Sequence, residues 1–410
     1  MSHVLDRRLI YASAGLRATA VGLSGVIVAL YLAALHLDIG SIGIAISLGL
    51  AGCAVGTLIV TLVADRMGRR ATLAILAFLM ALGGLALALT TRVSLVMLSV
   101  LLGMVNGMGR DRGAGLTVEQ AMLPQTTTAN RRTSVFAWYN LTIDGGHAIG
   151  ALLGGLPAFL RGYGGMSALV SYRWTWVVYC VLCGMAGILA LRISPSVERR
   201  SITPAHFLSP ASRPRVMKFA LLSGLDSLGG GFLTTALLGF WFFKRFGVDE
   251  SLLGPLFFTV RVANGLSHLG AAWIAKRIGL VKTMVFTHLP SSLLLMLVPC
   301  APTLSLAIIM FLIRESLVEM DVPTRQSYIV AIVEEEERTK AAGITNLTRS
   351  AAWAIGPFMA GSLMRFLSLS APLIVGPALK IAYDVLLYRA FHDVKPPEER
   401  AAHSSVVTAT

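Results

Sequence analysis

"VADRMGRR", Val63 to Arg70, sets Asp65, Arg66, Arg69 and Arg70 around Gly68, between two long apolar runs at 40–64 and 71–91. Each run is long enough to cross a bilayer, which takes about 20 apolar residues. A short charged loop between two such runs is a turn at a membrane surface. The arginines hold it on the cytoplasmic side, because Lys and Arg near span ends set orientation, and the glycine supplies the backbone freedom for the reversal.

The rest of the chain repeats that pattern. Of its 410 residues 55% are hydrophobic and only 14% charged, and the mean hydropathy is +0.72. A soluble domain carries about 25% charged residues, so the composition is that of a multi-pass membrane protein. Apolar runs separated by polar breaks predict twelve helices, at 11–37, 40–64, 71–91, 93–109, 134–160, 168–191, 217–243, 251–273, 281–300, 303–320, 341–368 and 370–390. Lipid offers the backbone no hydrogen-bond partners, which leaves helices or closed barrels. These runs are too long for barrel strands, so the expected class is an all-α membrane protein.

The net charge of +14 could suggest nucleic acid, but the basic residues are distributed by loop. With both termini cytoplasmic, the outer loops hold only Arg92, Arg161, Arg173, Lys244, Arg245 and Arg365, while most others face inward. That asymmetry predicts an N-in, C-in topology and accounts for the charge without nucleic acid. The apolar run after Arg8 is too long for a cleaved signal segment, so the first span is expected to stay in the protein.

"RISPSVERRSITPAHFLSPASRPR", Arg192 to Arg215, is rich in Pro, Ser and Arg and reads as a linker dividing the chain near its middle. It implies an N-terminal six-helix half at 1–191, a cytoplasmic linker at 192–216, a C-terminal half at 217–392 and a cytoplasmic tail at 393–410. Shifting the first half by 206 residues aligns Gln120 with Gln326, Arg132-Thr133 with Arg338-Thr339, and Asn140-Leu141-Thr142 with Asn346-Leu347-Thr348. The same register pairs Ala148-Ile149-Gly150 with Ala354-Ile355-Gly356, and Gly155 with Gly361. Two parallel six-span repeats are the architecture of secondary transporters with a midplane site.

With the repeat in place, "ADRMGRR" resembles the signature G-x-x-x-D-R-x-G-R-R of the major facilitator superfamily, carried between spans two and three. Asp65, Arg66, Gly68, Arg69 and Arg70 match it, and Thr61 replaces the leading glycine. A degenerate copy, "AKRIG", keeps Ala275, Arg277 and Gly279 in the second half. The resemblance implies that Asp65 reaches the cytoplasmic end of span eleven and stabilises the outward-facing state, an anion at a helix N-terminus being favoured. In span five, Gly146, Gly150, Gly154 and Gly155 resemble the glycine run of the superfamily's exporters, with Ala151 in place of proline. That likeness implies efflux, although glycines four apart also serve close helix packing.

Ionisable residues at membrane depth are costly and mark ion or substrate paths or ion pairs. Asp226 in span seven, followed by Gly229-Gly230-Gly231, is the leading proton or substrate-cation candidate, with Arg261 and Arg314 as alternative pairing partners. Asp144 and His147 in span five, and Glu315 beside Arg314 in span ten, complete the proton or substrate set. Lys380 and Asp384, four apart, read as a structural pair, and Glu319, Asp321 and Arg325 as gate or loop contacts. Cys180 and Cys183, one turn apart, could bind a soft metal or metalloid, but without His or further Cys nearby they read as small apolar residues. Trp174, Trp176 and Trp241 are expected at the outer interface. With no phosphate-binding loop and no legible nucleophile, base and acid, neither an ATPase nor an enzyme is expected, and no cofactor or metal. The expectation is a monomeric secondary transporter in the inner or plasma membrane, exporting a small solute against protons. A facilitator, an importer, or an exporter of a metalloid or siderophore-like chelate are the alternatives, with a membrane enzyme or a non-transporting receptor behind them.

Overall fold

The computed structural model describes residues 2–111, 113–128, 131–197, 208–210, 212–331, 333 and 337–392. Most of the expected linker and the tail at 393–410 lie outside them. Among the described residues the chain is all-helical, without a strand. The helices are α1 (Ser2–Ala34), α2 (Ile39–Met67), α3 (Arg69–Leu89), α4 (Val93–Leu102), α5 (Ala114–Met122), α6 (Arg132–Leu153), α7 (Leu156–Gly164) and α8 (Ala168–Leu191). There follow α9 (Ser212–Gly231), α10 (Thr235–Phe246), α11 (Glu250–Ile278), α12 (Leu280–Leu297), α13 (Leu304–Val318), α14 (Asp321–Ala331), α15 (Arg338–Phe366) and α16 (Pro372–Phe391).

Seven helical stretches among the described residues are long and apolar enough to cross a membrane: His3–Ala34, Ile39–Leu62, Arg69–Leu89, Ser134–Gly164, Ala168–Leu191, Ser212–Phe246 and Leu280–Cys300. Helices also occupy the other expected spans, but α4 and α13 are short, and α11, α15 and α16 carry charges such as Arg261, Arg349 and Lys380. The opening loop behaves as its sequence requires. Gly68 has φ of +92° between α2 and α3, and Gly279, in the degenerate copy, has φ of +87° between α11 and α12, a region that favours glycine. Arg69 donates to the Ala121 carbonyl at 2.8 Å and Arg70 to that of Ile193 at 3.2 Å. Arg66 is exposed, and the side chain of Asp65 lies outside the described residues.

The contacts divide into two compact units. The first comprises residues 1–202, 233–261 and 357–369, the second 203–232, 262–356 and 370–410. In the first, α1 packs on α6 and α8, and α3 on α8. Every residue of α1 from Arg17 to Leu32 is buried, so this helix is the unit's axis. In the second, α16 packs on α9 and α12, and α12 also on α13 and α14, around Phe219, Met284, Tyr328, Tyr383, Leu387 and Phe391. The sequence repeat reappears as equivalent contacts. The Thr142 methyl lies against Gly15 where α6 meets α1, and the Thr348 methyl against Gly224 where α15 meets α9.

Three expected spans are interrupted. Span 134–160 becomes α6 and α7, breaking at Gly154-Gly155 with Pro157 in the first turn of α7. Span 217–243 becomes α9 and α10, breaking after the glycine triplet, with the Thr234 hydroxyl accepting from the Leu237 N–H at 3.3 Å to start α10. Span 93–109 stops at Leu102, and the described residues 103–111 and Gly113 are non-helical. Glycine lowers helix stability by about 1 kcal/mol relative to alanine, so breaks fall where glycines gather. Trp176 and Trp241 are fully buried rather than interfacial, Trp176 lying edge-on to Tyr31 and Tyr179, while Trp174 is exposed. On a helix facing the bundle interior, a large ring gains more from packing than from the headgroups.

The glycines of span five are spent on packing. A side chain at Gly150 would meet the backbone of Thr19 and Leu23, and one at Gly146 the Gly15 carbonyl, whereas Gly145 has open space around it. Gly150→Ala should therefore separate α6 from α1 and cost about 1–3 kcal/mol, as overpacking does, while Gly145→Ala, with open space around it, should stabilise α6 by up to about 1 kcal/mol; thermal unfolding of the purified variants checks both. Asp38 caps α2, its carboxylate accepting from the Gly40 N–H at 2.9 Å and the Ser41 hydroxyl at 2.7 Å. The Ser41 hydroxyl, then the Ser41 and Gly40 N–H groups and Arg365, hold its carboxyl below the usual carboxylate range. The cap's contribution is thus present at neutral pH and lost as pH falls through that lowered value. Asp38→Ala should remove about 1 kcal/mol, measured as a pH-dependent difference in unfolding temperature from the parent.

Candidate functional site

Two clusters of buried charge stand out, one in each unit. In the first, the unwound stretch between α4 and α5 exposes backbone polar groups at membrane depth, where each must find a partner. Asn106 supplies two of them: its side-chain NH2 donates to the Arg110 carbonyl at 2.6 Å and its Oδ1 accepts from the Met108 N–H at 2.7 Å. The Ser24 hydroxyl of α1 donates to the Asn106 carbonyl at 3.0 Å. The Met108 carbonyl accepts from the Thr235 hydroxyl at 2.8 Å and from Arg261 at 3.3 Å. His147 Nε2 accepts from the Asp111 N–H at 2.8 Å, so that nitrogen carries a lone pair. Gly109 sits at φ of +64° beside Thr235 and Arg261.

Unwinding also delivers Asp111 to Arg17 of α1. The Arg17 guanidinium pairs with Asp111 through Nη1 and with Glu119 of α5 through Nη2, and all three side chains are buried. Tyr139 of α6 donates to Glu119 at 2.6 Å. Beside them a cavity of about 20 Å³, lined by Arg17, Cys53, Met104, Asn106 and Asp111 among others, has room for one water. Of the expected candidates, His147 and Arg261 join this unwound stretch, and Asp144 does not: it lies exposed on α6. Arg17, Asp111 and Glu119 were missed, although an arginine within the first apolar run was a signal in plain view.

The second cluster centres on Asp226, which is only 4% exposed. Lys380 of α16 donates to its Oδ1 at 2.7 Å, Arg325 of α14 reaches Oδ2 at 3.2 Å, and Arg349 of α15 stands 3.9 Å away. Arg325 also pairs with Asp321 at 2.5 Å. His288 of α12 holds Asp384 at 3.0 Å through Nδ1 and faces Lys380 at 3.3 Å through Nε2. Its Nε2 also stands 3.6 Å from Asp226 Oδ1. The expected partners therefore change. Asp226 pairs with Lys380, Arg325 and Arg349 in place of Arg261 or Arg314. Lys380 and Asp384 turn to Asp226 and His288 and not to each other, because partners on neighbouring helices approach more closely than the next turn of their own. Asp321 and Arg325 belong to this cluster and not to a loop. Arg314 pairs with Glu315, which also accepts from Asn264 at 3.4 Å. Gly146, Gly150 and Gly154 pack against α1. Cys180 and Cys183 lie on α8, and no three of His, Cys, Asp and Glu form a metal cage among the described residues.

Segments from the second half of the sequence enter the first unit and are tied there by ion pairs. Arg161 meets Glu250 at 2.5 Å, and Arg365 meets Asp38 at 3.1 Å. Broken apolar helices with buried charge beside the breaks are a feature of transporter folds. The sequence goes further: a profile of the Major Facilitator Superfamily matches residues 10–314 and 219–408, and the chain belongs to that family. It is 26% identical over 416 residues to the uncharacterized membrane protein YJR124C of Saccharomyces cerevisiae, covering 93% of each. Its fold resembles that of the nucleoside transporter NupG, with a TM-score of 0.74 at 14% identity over 94% of this chain and 99% of that one. The D-xylose–proton symporter gives 0.72 at 14% identity, covering 94% and 98%.

Asn106→Leu should leave the Met108 N–H and the Arg110 carbonyl without partners, at about 1–3 kcal/mol. Asn106→Asp, which restores the acceptor but not the donor, should fall between it and the parent in thermal unfolding of the purified protein.

Proposed function

We propose that this chain is a proton-coupled secondary transporter of a small solute, and that its coupling proton sits on the Arg17, Asp111 and Glu119 cluster. The observation that carries the reading is two buried carboxylates on one buried guanidinium. With both acids ionised the trio carries −1; with one proton shared it is neutral. Burying uncompensated charge is costly, so proton uptake and a change of solvent access are coupled at this point. Asp226 plays a different part, because it already faces Lys380, Arg325 and Arg349 and has nothing to offer a substrate cation.

The proposed architecture is twelve spans in two six-helix halves, 1–191 and 217–392, with both termini cytoplasmic and residues 192–216 as the linker, acting as a monomer in the inner or plasma membrane. In that topology Arg161, Glu250, Asp38 and Arg365 all lie at the outer face. The Asp65 to Arg70 loop lies at the opposite, cytoplasmic face in that topology. At the outer face the half-buried Arg161–Glu250 pair contributes more than the exposed Asp38–Arg365 pair, since exposed ion pairs contribute about 0–1 kcal/mol. Efflux is a second reading, supported by the exporter-like run at Gly146, Gly150, Gly154 and Gly155; helix packing accounts for the same glycines.

The test is flux in proteoliposomes with an imposed pH gradient, using labelled uridine, D-xylose and benzoate as probes. The transported probe should accumulate only with the gradient, and the gradient's direction distinguishes import from export. Glu119→Gln should abolish accumulation while sparing exchange of that probe at equal pH. Gradient-independent flux in the parent would make the protein a facilitator, and normal accumulation by Glu119→Gln would place the proton elsewhere.

A further inference from the structure

His288 of α12 stands between two carboxylates and an ammonium, and its two ring nitrogens are placed differently. The residue is 1% exposed. Nδ1 faces both oxygens of Asp384, each at 3.0 Å. An ionised carboxylate only accepts, so Nδ1 carries a hydrogen, and its bond to Asp384 fixes the orientation of the ring. Nε2 faces Lys380 Nζ at 3.3 Å and Asp226 Oδ1 at 3.6 Å. These two neighbours require opposite states of it. An ammonium only donates and is met by a bare nitrogen, whereas a carboxylate is met by an N–H. One proton on Nε2 therefore changes which neighbour it attracts.

The helices packed around α12 supply the other groups that decide the balance. From α16 come Lys380 and Asp384, with the Tyr383 ring edge-on to the imidazole at 6.0 Å. From α9 comes Asp226, and from α14 comes Arg325, which reaches Asp226 at 3.2 Å and Asp321 at 2.5 Å. Arg349 of α15 stands 3.9 Å from the same carboxylate. The charged pair on α13, Arg314 with Glu315, turns to Asn264 of α11. Lys380 and Nε2 thus share one oxygen, Asp226 Oδ1, at 2.7 and 3.6 Å. With Nε2 bare, Lys380 bridges Asp226 and the imidazole. With Nε2 protonated, imidazolium and ammonium repel each other and compete for that oxygen.

We propose that His288 is a second proton-binding residue of the transporter read above, and that a proton on its Nε2 draws Asp226 from Lys380 to the imidazolium. Its part in transport rests on that reading; the protonation itself rests on the geometry of the ring. The step is a proton transfer alone: a proton from water adds to the Nε2 lone pair, the Lys380 hydrogen bond to Nε2 is lost, and the Nδ1 bond to Asp384 persists. Histidine suits the task, since its ordinary titration falls between about pH 5 and 8. The Arg17 cluster takes its proton on a carboxylate of the first unit, so the two protons occupy separate sites.

The experiment is nitrogen NMR of the full-length protein, isotope-labelled at histidine, in detergent at uniform pH from about 5 to 9, a range that brackets imidazole titration. Of the eight histidines, His288 is the signal lost in His288→Gln. Should that variant not elute as a monodisperse peak, Tyr383→Leu identifies it by removing the ring edge-on to it. Nδ1 should stay protonated throughout, while Nε2 passes from bare to protonated as the pH falls. Asp226→Asn, which removes the carboxylate that favours the imidazolium, should move the transition to lower pH. Lys380→Met, which removes the competing ammonium, should move it to higher pH, each by about one unit. Nε2 in one protonation state across the whole range, or a transition left in place by either substitution, would overturn the proposal. Because no gradient is applied and no solute is added, failure here leaves the Glu119 coupling reading standing, and normal accumulation in the Glu119→Gln flux test leaves this one standing.

Discussion

A backbone amide or carbonyl without a partner in the hydrocarbon core costs several kcal/mol, and the first unit is organised around meeting that demand at one place. From Gly103 to Asp111 the chain gives up helical hydrogen bonds, and side chains from five other segments replace them. Ser24 comes from α1, Cys53 from α2, His147 from α6, Thr235 from α10 and Arg261 from α11. Irregular backbone at this depth is tolerated only where protein or a cavity surrounds it. The same unwinding brings Asp111 to Arg17, so the structural demand and the buried charge share one origin.

The two charge clusters differ in kind. Around Arg17 a single cation meets two acids, and the trio changes between neutral and negative with one proton. Around Asp226 three cations, Lys380, Arg325 and Arg349, approach one carboxylate, and His288 holds Asp384 beside them. Buried ion pairs are weak sources of stability, because desolvation offsets their attraction. Packing holds the fold together: α1 against α6 and α8, and the aromatic cluster of Phe219, Tyr328 and Phe391 in the second unit.

Much of the fold was legible in the residues themselves. Apolar run length announced helices long and apolar enough to cross a bilayer, and "ADRMGRR" announced the family. Gly68 and Gly279 could be read because a turn between two apolar runs needs a residue free to take positive φ. These features are local or periodic, and composition and spacing carry them without reference to any distant partner.

Partner choice was not legible. Asp226 lies 154 residues from Lys380 and 99 from Arg325, and nothing in the local sequence separates those partners from Arg261 or Arg314. The i, i+4 spacing of Lys380 and Asp384 pointed to an intrahelical pair, and the structure sends each to a different helix. Nothing in the sequence around Arg17 pointed to Asp111, which meets it only because the chain unwinds after α4. The sequence by itself determined that the chain forms apolar helices and that it turns at Gly68 and Gly279, since those depend on hydropathy and on backbone conformation at single residues. Only the tertiary structure decided which charges meet, because in a low-dielectric interior a side chain pairs with whatever opposite charge lies within a few ångströms, and helix packing alone sets that distance.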